Sequence, residues 1–226
     1  MLQQTRVEAV KPYFQRFIRE LPDVASLAAA PEERIVKLWE GLGYYSRVRN
    51  MQKAAIRVME EYNGKIPEDF ETLLSLKGIG RYTAGAISSI AYGHKVPAVD
   101  GNVLRVYSRL TESREDIMKQ SVRKSVEEQL KEIMPEDRPG DFNQAMMEIG
   151  AVVCVPNGKA KCEECPLGRF CLARKHGTVE ELPVKAPKKA RKIENRTVLV
   201  IQDGAAPRSA DGRRRGFWQD FTKFRM

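Results

Sequence analysis

The chain has 226 residues, of which 42% are apolar and 31% charged, a balance typical of a soluble globular protein. No apolar run approaches the roughly 18 residues that a membrane span requires. The formal net charge is +9, but residues 172–226 carry 14 Lys+Arg against 6 Asp+Glu, whereas residues 1–171 carry 25 against 24. The basic excess therefore lies in the tail, and any contact between nucleic acid and the rest of the protein must depend on individually placed groups.

Almost all residues before Cys154 are predicted to be helical, because apolar residues recur at three- and four-residue spacing without strand-like alternation. Short breaks with Gly, Pro or Asn separate most of the helical segments, which run over 7–20, 31–42, 50–62, 67–76, 81–93, 101–110, 121–134 and 141–154. After Cys171, a Pro- and Lys-rich stretch predicts a linker, and "TVLVI" at 197–201 is the one convincing strand. The predicted fold class is all-α, followed by the start of a β-containing domain that the remaining residues are too few to complete.

Two Gly-x-Gly turns lie between predicted helices. Gly78-Ile79-Gly80 would permit a tight turn that leaves the N–H groups of the next helix free for an anion such as a DNA phosphate; a plain helix–helix turn is the alternative. Gly41-Leu42-Gly43 repeats the pattern and is followed by Tyr44, Tyr45 and Arg47. The tyrosines could wedge into a base stack or be buried between helices, and the residues alone favour neither.

All four cysteines lie between 154 and 171, with the spacing Cys154-x7-Cys162-x2-Cys165-x5-Cys171. Disulfides are disfavoured because the first residues, "MLQQTRVEAV", contain no apolar signal-peptide core. Zinc sites usually pair two short C-x2-C units, and only one is present. The wider, uneven gaps favour a cubane iron–sulfur cluster, whose corners need ligands spread around a larger object. The spacing alone leaves zinc and disulfides open.

Five stretches together resemble the helix-hairpin-helix DNA glycosylases that contain an iron–sulfur cluster, and among them the MutY-type adenine DNA glycosylases. They are "MLQQTRV", "WEGLGYYSRVRN", "LKGIGRYTAGAI", "PAVDGNVLRV" and "GDFNQAMMEIGAVVC", in family order, and the resemblance covers roughly residues 1–183. The family usually has six residues between its first two cysteines, and this chain has seven. A one-residue surface insertion is not expected to prevent ligation.

The resemblance implies a helix-hairpin-helix DNA glycosylase fold over residues 1–150 that lacks its first helix, and a [4Fe-4S] cluster segment over 151–182. A linker over 183–196 would lead to a remnant of the C-terminal 8-oxoguanine-recognition domain over 197–226. The implied activity is base-excision repair, with hydrolysis of the N-glycosidic bond of adenine mispaired with 8-oxoguanine or guanine in double-stranded DNA. The protein would be a monomer, located in the cytoplasm at the nucleoid and not on a membrane. In this family the cluster is not the catalyst but organises a loop beside the DNA, whose basic residues here would be Lys159, Lys161 and Arg169.

The resemblance assigns catalytic roles to Asp100, Tyr82 and Asn102. Asp100 would stabilise positive charge on the sugar, although its position also fits an N-cap, which would be the favoured interpretation without the family. Asn102 would arrange the active site. Tyr82 stands where endonuclease III type enzymes have a nucleophilic lysine, so little strand cutting is expected.

The same resemblance assigns the remaining site residues. Those that bind DNA would be Gln4, Leu42, Tyr44, Arg47, Gly78, Gly80 and Arg81. The [4Fe-4S] cluster would be bound by Cys154, Cys162, Cys165 and Cys171.

The family's general acid, a glutamate that protonates N7 of the adenine, lies two residues before the methionine that Met1 matches. The chain as given is therefore expected to lack this acid and to be weakly active or inactive. Glu8 is not a substitute, because it lies about two helical turns further along. Two other interpretations stay open: an endonuclease III type glycosylase and lyase, and a non-catalytic DNA-binding module that holds zinc.

Overall fold

The computed structural model describes residues 1–2, 5 and 7–187, and the regular structure of these residues is helical throughout. The ten α-helices of this part of the chain are α1 (Val7–Glu20), α2 (Val24–Ala29), α3 (Glu32–Leu38), α4 (Ser46–Glu61), α5 (Phe70–Ser75), α6 (Arg81–Ala86), α7 (Gly101–Thr111), α8 (Gln120–Ile133), α9 (Pro139–Glu148) and α10 (Leu172–His176). Two of them, α6 and α9, continue as π-helical turns, Ile87–Ala91 and Ile149–Val153. Short 3-10 turns lie at Gly168–Phe170 and Val179–Glu181. None of the helices described is long and apolar enough to cross a membrane.

The all-α prediction is confirmed for these residues, and each predicted helical segment overlaps an observed helix. Helix α1 has the predicted bounds. Helices α2 and α10 were not predicted, because each is shorter than two turns and carries too little apolar periodicity. The predicted strand at 197–201 lies outside the described residues.

The chain divides into two compact units, Met1–Ala186 and Pro187–Met226, and all ten helices belong to the first. Three apolar clusters hold this unit together. One joins α1 to α3 around Trp39, a second joins α4 to α5 and α6 around Leu73, and the third packs α7 against α8 and α9 around Leu104. Helix α7, whose first residue follows Asp100, therefore lies in the third cluster with much of its surface buried.

The segment after α10 is fastened to the end of α7. Glu112 ends α7 in the left-handed region (φ 54°), and its carboxylate lies 2.5 Å from Nδ1 of His176 and accepts a 2.7 Å hydrogen bond from the hydroxyl of Thr178. The contact with His176, followed by that with Thr178, lowers the pKa of Glu112. The chain that leaves the cysteine segment is thereby held against α7, the helix that Asp100 caps.

Candidate functional site

Asp100 lies at the N-cap of α7 with an extended backbone (φ −101°, ψ −174°). Its Oδ1 accepts hydrogen bonds from the backbone N–H groups of Asn102 and Val103, both at 2.8 Å, and its Oδ2 accepts one from Nδ2 of Asn102 at 2.9 Å. The capping interpretation is confirmed, and the positive end of the helix dipole favours the ionised carboxylate at this place. A catalytic role remains compatible with it, since the cap fixes a half-buried carboxylate in one orientation.

Arg105, one turn into α7, connects this cap to the first cysteine. Its side chain is 6% exposed, and its Nη2 donates to Oδ1 of Asn102 at 2.8 Å and to the Gly150 carbonyl at 2.7 Å. Its Nε donates to the Cys154 carbonyl at 2.8 Å. Burial lowers the pKa of Arg105, and these oxygens replace the water that the guanidinium has lost. Asp100, Asn102 and Cys154 thus belong to one hydrogen-bonded network.

Gly150 allows the π-helical turn after α9 to approach the start of α7. A Cβ atom on Gly150 would lie 2.5 Å from Cβ of Asn102, a distance that real Cβ atoms do not adopt. The backbone of residues 149–153 can therefore reach Asn102 and Arg105 because this position has no side chain.

Tyr82, in the first turn of α6, shares this site. Its half-buried hydroxyl lies 3.1 Å from Sδ of Met147 on α9. Burial raises the pKa of Tyr82, and the charge of Asp100 raises it further. The phenol therefore stays protonated at neutral pH, within electrostatic range of Asp100.

The predicted hairpin forms between α5 and α6. Gly78 adopts a positive φ (+83°), and a Cβ atom there would lie 2.7 Å from Cβ of Asn50. Gly80 is the N-cap of α6 with an extended backbone, and the space where its Cβ would lie is open. No side chain caps the start of α6, and the DNA-phosphate role of this turn stays a prediction.

Arg81, the next residue, is engaged by the neighbouring helix α8. Its Nη2 and Nε donate to Oε2 of Glu127 at 2.6 and 3.0 Å, and its guanidinium lies 5.2 Å from the centre of the Phe70 ring. A DNA phosphate at Arg81 would have to share or displace this ion pair.

At the turn Gly41-Leu42-Gly43, some of the predicted DNA contacts are buried and others are exposed. Leu42 is 9% exposed and belongs to the apolar core, whereas Tyr44 is 63% exposed and adopts a positive φ of 50°. The Arg47 guanidinium lies over the rings of Trp39 and Tyr44, at 5.3 and 5.4 Å from their centres, and so supports the turn from inside. Of the predicted DNA contacts here, Tyr44 is the accessible one among the residues described; Gln4 lies outside them.

The four cysteines line one cavity and all are free thiols: Cys154, Cys162, Cys165 and Cys171. Nη1 of Arg109 donates to Sγ of Cys154 at 3.2 Å, and Sγ of Cys171 lies 3.3 Å from the Arg109 carbonyl. Burial raises the pKa of Cys165, and the other three cysteines add to the rise. Within the described ranges, no three His, Cys, Asp or Glu residues form a group that could hold a metal ion. The four thiols nevertheless line one cavity, which is compatible with the spacing prediction, and the cluster itself stays a prediction.

The predicted basic residues of this segment, Lys159, Lys161 and Arg169, are all exposed. Arg105 and Arg109 are not among the site residues predicted from the sequence. The available signal was their four-residue separation on the same face of α7 as Asn102, a face that an amphipathic helix normally fills with apolar residues.

Comparison with known proteins matches residues 1–135 to the HhH-GPD superfamily, described as base excision DNA repair proteins. The chain is 44% identical over 183 residues to the adenine DNA glycosylase of Homo sapiens and 39% identical over 189 residues to that of Buchnera aphidicola subsp. Acyrthosiphon pisum. These alignments cover 80% and 84% of this chain but 33% and 54% of the two relatives. The chain is also similar to endonuclease III in a non-covalent complex with DNA (TM-score 0.67, 29% identity, 78% of this chain and 80% of that one).

Proposed function

The chain belongs to the HhH-GPD superfamily of base excision DNA repair proteins, and on that premise we propose that it is an adenine DNA glycosylase, which hydrolyses the N-glycosidic bond of adenine opposite 8-oxoguanine or guanine. The chain spans about a third to a half of the curated relatives to which it was compared, so the activity of the whole protein is part of the proposal. The observation that carries it is the pair Asp100 and Tyr82: a fixed carboxylate within electrostatic range of a phenol, where a lyase would need an amine.

The proposed reaction begins when the adenine leaves the base stack, because its sugar bond cannot be reached inside the duplex. As the bond between the sugar and the base lengthens, positive charge develops on the sugar. The carboxylate of Asp100, fixed by two backbone N–H groups and by Asn102, would stabilise that charge without reorganising. A proton at N7 would make the adenine a better leaving group, and the family resemblance implies that a glutamate carboxyl donates it.

A [4Fe-4S] cluster fits the donor set that the chain offers. Four thiols line one cavity, which is the number that the four iron corners of a cubane require. The cluster would act structurally here: by binding all four thiolates, it would hold residues 154–171 in one conformation. The Arg109 side chain, which donates to Sγ of Cys154, would then stabilise a thiolate at that position.

Double-stranded DNA is the proposed partner. The open space at Gly80, the exposed Tyr44 ring and the exposed Lys159 and Lys161 side chains support it, since they offer phosphate donors and an aromatic surface. Phosphate contacts carry no sequence information, so recognition of the mispair would depend on groups that reach the bases.

The test is release of adenine from a duplex with one A·8-oxoguanine pair, under single-turnover conditions, by the complete gene product and its Asp100→Asn variant. Asn keeps an acceptor for the α7 cap, so the variant should stay folded and bind duplex while its excision rate falls by about 10² or more. Full activity of Asp100→Asn would contradict the role of Asp100. Strand cutting without added base, with a borohydride-trapped adduct, would favour the endonuclease III type lyase instead.

A further inference from the structure

Asn143, on α9, is 3% exposed and uses its whole carboxamide to hold the segment that leads to Asp100. Its Oδ1 accepts the N–H of Ala98 at 3.0 Å, and its Nδ2 donates to the Val96 carbonyl at 2.9 Å. The second proton of Nδ2 goes to Oγ of Ser89 at 2.7 Å. Ser89 lies in the π-helical turn that continues α6, and it donates in turn to the Gly85 carbonyl at 2.7 Å.

The three elements that meet at Asn143 are unusually close. A Cβ atom on Gly85 would lie 2.3 Å from the Pro97 carbonyl oxygen, and one on Gly140 would lie 2.9 Å from Cα of Ile90. Segment 96–98 therefore packs directly on α6 at Gly85, and α9 packs directly on the π-helical turn through Gly140, with no side chain between the backbones. In such a contact, one buried carboxamide can set the relative position of the neighbouring chains, because none of them can move without breaking a hydrogen bond.

The segment 96–98 ends two residues before Asp100, and α6 carries Tyr82. Helix α9 also contacts Tyr82 directly through Met147, one turn after Asn143. We propose that Asn143 is a positioning residue for excision, which fixes the carboxylate of Asp100 relative to the phenol of Tyr82 by joining segment 96–98 to α6. This inference rests on the proposed glycosylase function, because it concerns the same reacting centre.

The test compares Asn143→Ala with two serine variants in the complete gene product. Ser89→Ala removes one of the three partners of Asn143 and leaves Val96 and Ala98 attached. Ser88→Ala is the matched control: Ser88 is the adjacent residue, it is 1% exposed, and its hydroxyl donates to the Glu68 carbonyl at 3.0 Å rather than to segment 96–98.

Single-turnover excision, with enzyme in excess over duplex, separates positioning from folding. Once folded enzyme saturates the duplex, the rate constant no longer depends on the folded fraction, whereas misplacement still lowers it. Displacements of about 1 Å can cost on the order of 10² in rate. We expect Asn143→Ala to lower the rate constant by about 10- to 100-fold at saturating enzyme, with the duplex Kd within about threefold of wild type. The rate constant of Ser89→Ala should lie between those of wild type and Asn143→Ala. That of Ser88→Ala should lie within about twofold of wild type. A rate constant for Asn143→Ala within about twofold of the control would overturn the inference.

Amide hydrogen exchange gives a second readout that does not need activity. In Asn143→Ala, the amides of Ala98, Asn102 and Val103 should exchange at least about tenfold faster, while those of α8 keep their protection. Unchanged exchange at these three amides would also overturn the inference. If the wild-type protein releases no adenine, the proposed function fails, and the exchange data still decide whether Asn143 holds the segment before Asp100.

Discussion

Replacement of Arg105 by Met should remove a large part of the folding free energy. Methionine keeps the length of the apolar stem but loses the three short hydrogen bonds to Asn102, Gly150 and Cys154, at 2.7–2.8 Å. The oxygens left behind are shielded from water, since Arg105 is 6% exposed. At about 1–1.5 kcal/mol for each bond, the loss is about 3–5 kcal/mol, against the roughly 5–15 kcal/mol that stabilise a typical domain.

For a domain of this size, each kcal/mol shifts the melting temperature by about 2–4 °C, so Arg105→Met should melt about 6–20 °C below wild type. The measurement is thermal unfolding followed by circular dichroism, with Arg19→Met as the control, because the Arg19 side chain is 75% exposed and its ion pair with Glu20 is long, at 3.7 Å. The melting temperature of Arg105→Lys should lie between those of wild type and Arg105→Met, since one ammonium group cannot reach all three oxygens. If Arg105→Met melted within about 2 °C of Arg19→Met, the network would not contribute to stability and the reasoning would be refuted.

Four further outcomes are expected. Protein purified without oxygen should contain about four iron and four sulfide per chain, and stoichiometric zinc without iron in an elemental analysis would contradict the cluster. Gly80→Ala should weaken binding to all duplexes about equally without changing the melting temperature. Gly78→Ala, which is strained by its positive φ, should lower the melting temperature. Unchanged duplex binding by Gly80→Ala would mean that the hairpin is only a structural turn. Because the pKa of Glu112 is lowered in the fold, its ionised form stabilises the protein above the unfolded value of about 4.3 and ceases to do so as the pH falls through the folded value. The difference in melting temperature between wild type and Glu112→Gln should therefore shrink as the pH falls from about 5 to about 3, and a constant difference would contradict this. Fusion of a designed segment that places a glutamate two residues before Met1 should raise the single-turnover excision rate by on the order of 10²–10⁴ over the same fusion with glutamine, and equal rates for both fusions would mean that another group supplies the proton.

Periodicity alone predicts the helices whose apolar face is long and regular. Helix α1 has its predicted bounds, and α7 begins at the residue after its predicted cap, Asp100, because a carboxylate before an apolar repeat is a strong start signal. The contacts of individual side chains are not predictable in this way. Leu42 lies in the turn that Tyr44 and Arg47 follow, yet Leu42 joins the core and Arg47 supports the turn. Their environment depends on how α1 packs against α3, which periodicity does not reveal.

The hydrogen-bond acceptors of Arg105 could not be predicted from the sequence either, for a different reason. An arginine within an apolar helix face indicates buried hydrogen bonds but not their acceptors. Its acceptors Gly150 and Cys154 lie in or directly after a π-helical turn, and a π turn has the same composition as the α-helix that it replaces. The site could therefore be predicted as a set of residues, but not as a connected network.

The π-helical turn at residues 149–153 has a consequence for which changes in length the protein can tolerate. A π turn holds one residue more than an α-helical turn, so a single deletion there would let α9 continue as a regular helix and rotate Cys154 by about 100° around its axis. Its carbonyl would then face away from Arg105. By contrast, the stretch between Cys154 and Cys162 is exposed from Pro156 to Lys159, and a residue gained or lost there changes only the size of a surface loop. Among natural variants of this sequence, insertions and deletions should therefore accumulate after Cys154 and be absent from the five residues before it.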